Sequence, residues 1–428
     1  MSVGVTFRSG HRILLASEFF MARRPVLDRD QNLVAHELLF CDITPEGAAP
    51  PDLPVEDQPA SASVIADVYQ HGLSRVIGEL MGVLHIDGAA VMSDIFSFLQ
   101  PEKLVLAMTC MRQVTPAILA RLQELTEAGF HFALVINDEA RDVAALLPYV
   151  EGVRLDVTGK DEATLRRFCE TFHGQGKKLL AENVDTLDQF RVCHALGFDF
   201  FQGYHFLQPS ILAGKKLSPS HMAITRAMAL VNSDAENDAI EHCIKSDVAL
   251  GLNLLRIANT PAFSVHRIDS LRQALMVLGR NQLQRWLQIM LYAEPSSDGH
   301  VMLPLLAQAT IRGRLMELVA HKLRPGNRSI ADTAFTVGIM SLMDTLFSMP
   351  MDVILQQIPV VDEVSEALLQ RQGYFGKLLS LVEYTEWHSK TDTLLLQSLQ
   401  DFRLTHNDLY QLQLAAFEWA DHVTNGMR

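Results

Sequence analysis

The chain is poor in the residues that build disulfide frameworks, membrane spans and nucleic-acid grips. Its five cysteines (Cys41, Cys110, Cys169, Cys193 and Cys243) are scattered with no C-x-x-C pair. That argues against a disulfide scaffold or a cysteine zinc site and points to free thiols in a reducing compartment. Apolar runs such as Phe132 to Ile136 and Val143 to Leu147 fall far short of the roughly 20 residues that cross a bilayer. Near the N-terminus the only apolar candidate, Ile13-Leu14-Leu15-Ala16, is soon ended by Glu18, which is a poor signal peptide. Basic charge is also short: 36 Lys and Arg stand against 50 Asp and Glu, a net charge of −14, which disfavours wrapping a phosphate backbone. The expectation is a cytoplasmic protein with no membrane insertion and no nucleic-acid partner.

What is present suits two domains, or three, in 428 residues. Up to about residue 210, short apolar runs alternate with helical patterns. The runs include Val83 to Ile86, Leu104 to Leu106, Phe130 to Ile136, Gly152 to Leu155 and Lys178 to Ala181. Between them lie Pro116 to Ala128 and Glu162 to Gly174. Such alternation predicts parallel βαβ units, with strands buried on both faces as in a (β/α) barrel or an open sheet. Five prolines between Thr44 and Ser63 read as a surface loop. From about residue 212 helical periodicity takes over. Leu250, Leu254, Ile257 and Ala258 share one stripe with Ser246 or Asp247 as its cap, and Gly279 is placed to stop the next helix. Thr405 and Asp408 read as a capping box before Leu409. The fold class is therefore α/β plus all-α, divided at 210/211, with C-terminal helices over 391–425.

One carboxylate opens the functional reading. Glu37, in Ala35-His36-Glu37-Leu38-Leu39-Phe40, is expected at the end of an alternating strand that starts near Pro25. There it would lie on the face where (β/α) barrels carry their chemistry, or it is a surface Glu closing a strand. Together with Arg24-Pro25-Val26-Leu27-Asp28, this stretch resembles the opening of EAL domains, the cyclic di-GMP phosphodiesterases. Later pieces follow in order: Leu104 to Thr109, Ala133 to Asp138, Val153-Arg154-Leu155-Asp156, Ala181 to Thr186, and Gly197 to Tyr204 with its Gln202-Gly203 pair. The resemblance spans residues 17–210.

The departures from that pattern carry more weight. The resemblance implies two divalent metals held by carboxylates and an Asn, with a Lys and a Glu near the attacking water. Glu37 and Glu182 remain, and Asp87 stands where the Asn is expected. Ala107 replaces a ligand Glu, Val135 and Ile136 replace an Asp pair, Cys41 replaces a phosphate-gripping Arg, and Arg154 replaces the Lys. Hard divalent cations need several oxygen ligands, which Ala, Val and Ile cannot supply. The implied pocket is thus vestigial (Glu37, Asp87, Arg154, Asp156, Glu182 and Gln202), with no catalytic residue, no metal and no cofactor. Retained binding of cyclic di-GMP by Arg24, Glu37, Arg154, Glu182 and Gln202 is the second reading, and a working phosphodiesterase with unusual ligands the third.

In the second half, Ser246 to Phe263 and Ile268 to Gly279 resemble the HDOD signature, here carried by Asp247, Leu255 and Asn259. HDOD domains resemble the HD and HD-GYP hydrolases without their metal ligands. Here none of the 16 histidines is followed by Asp and there is no Gly-Tyr-Pro. Asn259 reads first as a turn residue with a capping role and His321 as a helix-surface residue. Arg280, Gln282, Gln284 and Arg285 would be the only base readers if the helices around Gly279 formed a helix-turn-helix, which the acidic chain disfavours. The order EAL-like then HDOD resembles the bacterial EAL–HDOD signalling family. It implies a catalytically silent adaptor acting on protein partners in cyclic di-GMP-linked control of motility, pili, biofilm or stress.

Overall fold

The computed structural model describes residues 19–42, 73–93, 96, 99–109, 114–136, 143–207, 219–259, 267–293, 303–358, 360–386 and 392–425. The Pro-rich segment, Ile13 to Ala16, Cys110, Asn137-Asp138 and Thr260 to Phe263 lie outside these residues, as does the Cys41 side chain. Two compact units emerge, one of residues 1–208 with 385–418 and one of residues 209–384 with 419–428.

The first unit is built on a closed barrel of eight strands in sequential order. These are β1 (Phe19–Leu27), β2 (Leu33–Asp42), β3 (Met81–Ile86), β4 (Leu104–Thr109), β5 (His131–Ile136), β6 (Gly152–Asp156), β7 (Lys178–Glu182) and β8 (Phe200–Gln202). Closure decides between the barrel and the open sheet that the sequence left standing. Strands β2 to β8 run parallel, whereas β1 pairs antiparallel with both β2 and β8. The alternation predicted parallel strands only, so β1 is a departure. It arises because the single strand expected from Pro25 to Glu37 is in fact a hairpin. Asp28 turns the chain by accepting from the backbone N–H groups of Asp30 (2.9 Å) and Asn32 (2.8 Å), and Gln31 takes the left-handed conformation. Glu37 therefore sits within the second strand, not at the end of the first.

Strand alternation sends every second side chain into the bore. Val26, Ala35, Val83, Ala107 and Leu180 form a buried apolar cluster there, with Val105, Val135 and Phe200 packed against it. Ala107, expected at a metal position, is completely buried in this hydrocarbon, and Val135 lies against it. Ile136 ends β5 half-buried.

In the second unit the helices begin and end where local chemistry dictates. Asp247 caps the helix Val248–Ala258 by accepting from Leu250 N at 3.0 Å, and Leu250, Leu254 and Ala258 are buried along its inner face. Asn259 folds the chain end back: its amide donates to the Leu255 and Ile268 carbonyls (2.8 and 2.9 Å) and accepts from Ile268 N at 2.8 Å. The helical span Leu271–Ala293 is broken at Gly279, whose φ of 68° only glycine adopts without strain. In the first unit, Thr405 and Asp408 exchange the two capping-box hydrogen bonds at 3.1 Å ahead of Leu409. One stretch of the second unit, Arg328–Phe347, is long and apolar enough to cross a bilayer, but 61% of that window is buried inside the protein.

Gly203 closes the barrel. It follows β8 with φ 149°, and a Cβ there would meet the Val184 backbone oxygen at 2.3 Å. The tightness is structural, because Val184 N donates to Gln202 O and His205 N to Val184 O, clamping this turn on the end of β7. Gly203→Ala is expected to lower unfolding stability by more than about 1 kcal/mol, seen as a lower midpoint in urea with an unchanged slope.

Candidate functional site

The upper layer of the bore replaces hydrocarbon with charge. Glu37 comes from β2, His85 from β3, Arg154 from β6, Glu182 from the end of β7 and Gln202 from the end of β8. Arg154 and Glu37 are 1% and 2% exposed, so each must find its partner inside the barrel. The guanidinium supplies both: Nη2 donates to Glu37 Oε1, and Nε donates to Glu182 Oε1 at 2.6 Å. One Arg therefore holds two carboxylates apart with the side-on fork of its planar head, which a Lys ammonium cannot imitate.

Two further side chains complete the cluster. His85 Nε2 lies 2.6 Å from the same Glu37 Oε1, and Gln202 Nε2 donates to Glu37 Oε2 at 2.7 Å. Gln202 is itself oriented, because its Oε1 accepts from the Asn183 backbone N–H at 3.0 Å, where Asn183 takes a left-handed φ of 57°. Arg24, half-buried, reaches the Asn183 side-chain oxygen at 3.5 Å.

Electrostatics follow from this packing. Burial alone would raise the Glu37 carboxyl, but the Arg154 charge and the hydrogen bond from His85 outweigh it and hold Glu37 well below the usual carboxylate range. Burial likewise opposes charge on Arg154, and Glu37 and Glu182 overcome it, raising the guanidinium above its ordinary value. Glu37 and Arg154 therefore face one another as a charged pair throughout the neutral range.

The layer thus gathers Glu37, Arg154, Glu182 and Gln202, with Arg24 at its edge. It does not gather the other two carboxylates named from the sequence. Asp87 caps the short helix Gly88–Val91 by accepting from Ala90 N at 2.7 Å, and Asp156 is exposed, accepting from Thr158 N at 2.8 Å in the turn beyond β6. His85 was missed. Its signal was the period-two alternation of Val83-Leu84-His85-Ile86, which puts His85 on the bore face, in register with Ala107. Glu37, His85 and Glu182 also offer three ligand atoms within 4.8 Å of one another.

Residues 217–351 match the family model described as the HDOD domain. The chain is 27% identical over 412 residues to the uncharacterized protein YuxH of Bacillus subtilis, covering 94% of this chain and 98% of that one. It is 29% identical over 377 residues to the cyclic di-GMP phosphodiesterase CdgJ of Vibrio cholerae, covering 86% of this chain and 84% of the relative. An EAL domain protein from Listeria monocytogenes, known from its crystal structure, is 19% identical and covers 44% of this chain and 87% of its own, with a TM-score of 0.35.

Acid should expose the role of Glu37. Its carboxyl titrates lower in the folded than in the unfolded chain, so the stability it contributes is complete above the ordinary value of 4.5 and lost as pH falls below that. Denaturant unfolding from pH 7 to pH 3 is expected to show this loss, and a flatter pH dependence for Glu37→Gln. Arg154→Met strands Glu37 as a buried charge and is expected to cost about 3–5 kcal/mol, part of which returns when Glu37→Gln is added.

The chain thus places an eight-stranded barrel ahead of an HDOD domain, the order that its resemblance to the EAL–HDOD proteins implies.

Proposed function

We propose that the protein works in cyclic di-GMP signalling without hydrolysing the dinucleotide, as a cytoplasmic adaptor whose two domains present surfaces to protein partners. The observation that carries this reading is the Arg154 guanidinium, hydrogen-bonded to both Glu37 and Glu182. Two metal ions would need those carboxylates, and a fixed cation already sits between them. Like charges repel, so a divalent ion reaches Glu37 only if Arg154 leaves its buried place.

The donor set does not fit a metal pair. Beyond Glu37, His85 and Glu182 the neighbouring bore positions are Ala107 and Val135, which offer no oxygen. Metal activation of water contributes several kcal/mol to phosphodiester hydrolysis, and each ~1.4 kcal/mol is tenfold in rate. On this reading turnover is lost. The pathway assignment rests on the resemblance of the barrel to EAL domains and on the relative named as a cyclic di-GMP phosphodiesterase. Free, buried thiols at Cys169, Cys193 and Cys243 agree with a reducing compartment.

The full chain is to be incubated with cyclic di-GMP and Mg²⁺ or Mn²⁺ and the nucleotides separated by chromatography. No linear dinucleotide is expected. Linear product that scales with protein concentration, and that disappears in Glu37→Gln, would overturn the proposal. Calorimetric titration with the same ligand distinguishes the adaptor, which gives no heat, from a receptor that binds without cleaving.

A further inference from the structure

Two helices of the second unit line a cleft of about 670 Å³, a volume typical of ligand pockets. From the part of Leu271–Ala293 that follows Gly279 come Asn281, Gln284 and Gln288, spaced three and four residues apart on one face. From Arg328–Met340 come Ser329, Thr333 and Thr336, again on one face. Helices of a bundle normally turn hydrocarbon toward the interior they share. Here both stripes are carboxamides and hydroxyls, and the accessible apolar lining comes instead from Ala229, Val360 and Val361.

The stripes satisfy one another at a single place. Gln288, buried, donates through Nε2 to Thr336 Oγ1 at 3.2 Å, while Thr333 and Thr336 turn their hydroxyls back on the carbonyls of Ser329 and Asp332. One turn before Gln288 the pairing stops. Gln284 is half-buried, yet its carboxamide makes no hydrogen bond among the described residues, and neither of its polar atoms is sealed from the cleft. The hydroxyl of Ser329 likewise has no partner among the described residues. A carboxamide presents a donor and an acceptor side by side, and the group that answers both at once is another amide.

Charge narrows the occupant further. The lining holds four ionisable residues, and they stand in opposed pairs: Arg280 Nη1 is 3.7 Å from Asp234 Oδ1, and Arg328 Nε is 3.9 Å from Asp332 Oδ2. Asp332 also accepts from Arg285 at 2.7 Å and from Asn281 at 3.2 Å, and Arg285 is in turn bound to Glu317. An anion would meet the two carboxylates and a cation the two guanidiniums, so the lining favours neither. We infer that this cleft binds an uncharged molecule with a carboxamide or lactam edge on an apolar body. The edge pairs with the Gln284 side chain, and the body lies against Val360 and Val361. The lining residues all belong to the second unit, so the site is independent of how the barrel works.

The test titrates the full chain, labelled at its Val methyl groups, with benzamide, benzoate, benzamidine and toluene, four probes built on one ring. Benzamide is expected to shift the Val360 and Val361 signals saturably and to bind about tenfold more tightly than toluene, the value of two hydrogen bonds. Benzoate and benzamidine are each expected to bind about tenfold more weakly than benzamide, because a lone charge finds no unpaired counterion in the lining. Gln284→Leu is expected to remove the preference for benzamide over toluene while the other Val signals keep their positions. Gln284→Glu, whose carboxylate only accepts, is expected to move the preference to benzamidine. Absence of saturable shifts with tens of millimolar benzamide, equal binding of benzamide and toluene, or tighter binding of benzoate or benzamidine by the unaltered chain each overturns the inference. So does a benzamide preference that survives in either variant.

Discussion

A single buried guanidinium organises the barrel. Arg154 cannot be deprotonated, cannot reach water and cannot be left alone, so β2 and β7 must each deliver a carboxylate to it. Gln202 and His85 then fix Glu37 from the other sides, and the tight turn at Gly203 fixes the strand end that carries Gln202. Four strands are tied to one charge. Replacing the guanidinium by a lysine ammonium would lose the planar fork and with it the simultaneous hold on two acids.

The same residue separates two environments within one bore. On one side lies Glu37, whose attraction to the guanidinium outweighs its desolvation; on the other lies the apolar cluster of Val26, Ala35, Val83 and Leu180. Ala107 and Val135, which stand where the resemblance to EAL domains implies carboxylates, extend the apolar layer upward. On the proposed reading such a barrel keeps its fold, because closure depends on backbone pairing and apolar layers, and gives up only the chemistry that needs several oxygen ligands.

Much of this was legible in the chain. Strand and helix positions followed from short apolar runs and capping residues, so β4, β5 and β7 and the caps at Asp247 and Thr405 were found nearly in place. The hairpin at Asp28 was not, because two antiparallel strands joined by a short turn show the same alternation as one long strand, and only the hydrogen bonds of Asp28 separate them. Glu37, Arg154, Glu182 and Gln202 were named from resemblance, yet their mutual satisfaction was invisible: the pairs that hydrogen-bond are 28 to 165 positions apart and meet only through barrel closure. Asp87 and Asp156 carried the right chemistry at the right places and were claimed by local backbone N–H groups one turn beyond their strands, a competition that short polar side chains often win.

The claim on which the account turns is that the guanidinium of Arg154 stands where divalent cations would. Crystals of the full chain soaked in manganese, with data collected at the manganese absorption edge, examine it directly. The account predicts no anomalous peak within the carboxylate layer and continuous density from Arg154 to Glu37 and Glu182. Two anomalous peaks bridged by Glu37 and Glu182, with Arg154 displaced from between them, would contradict it.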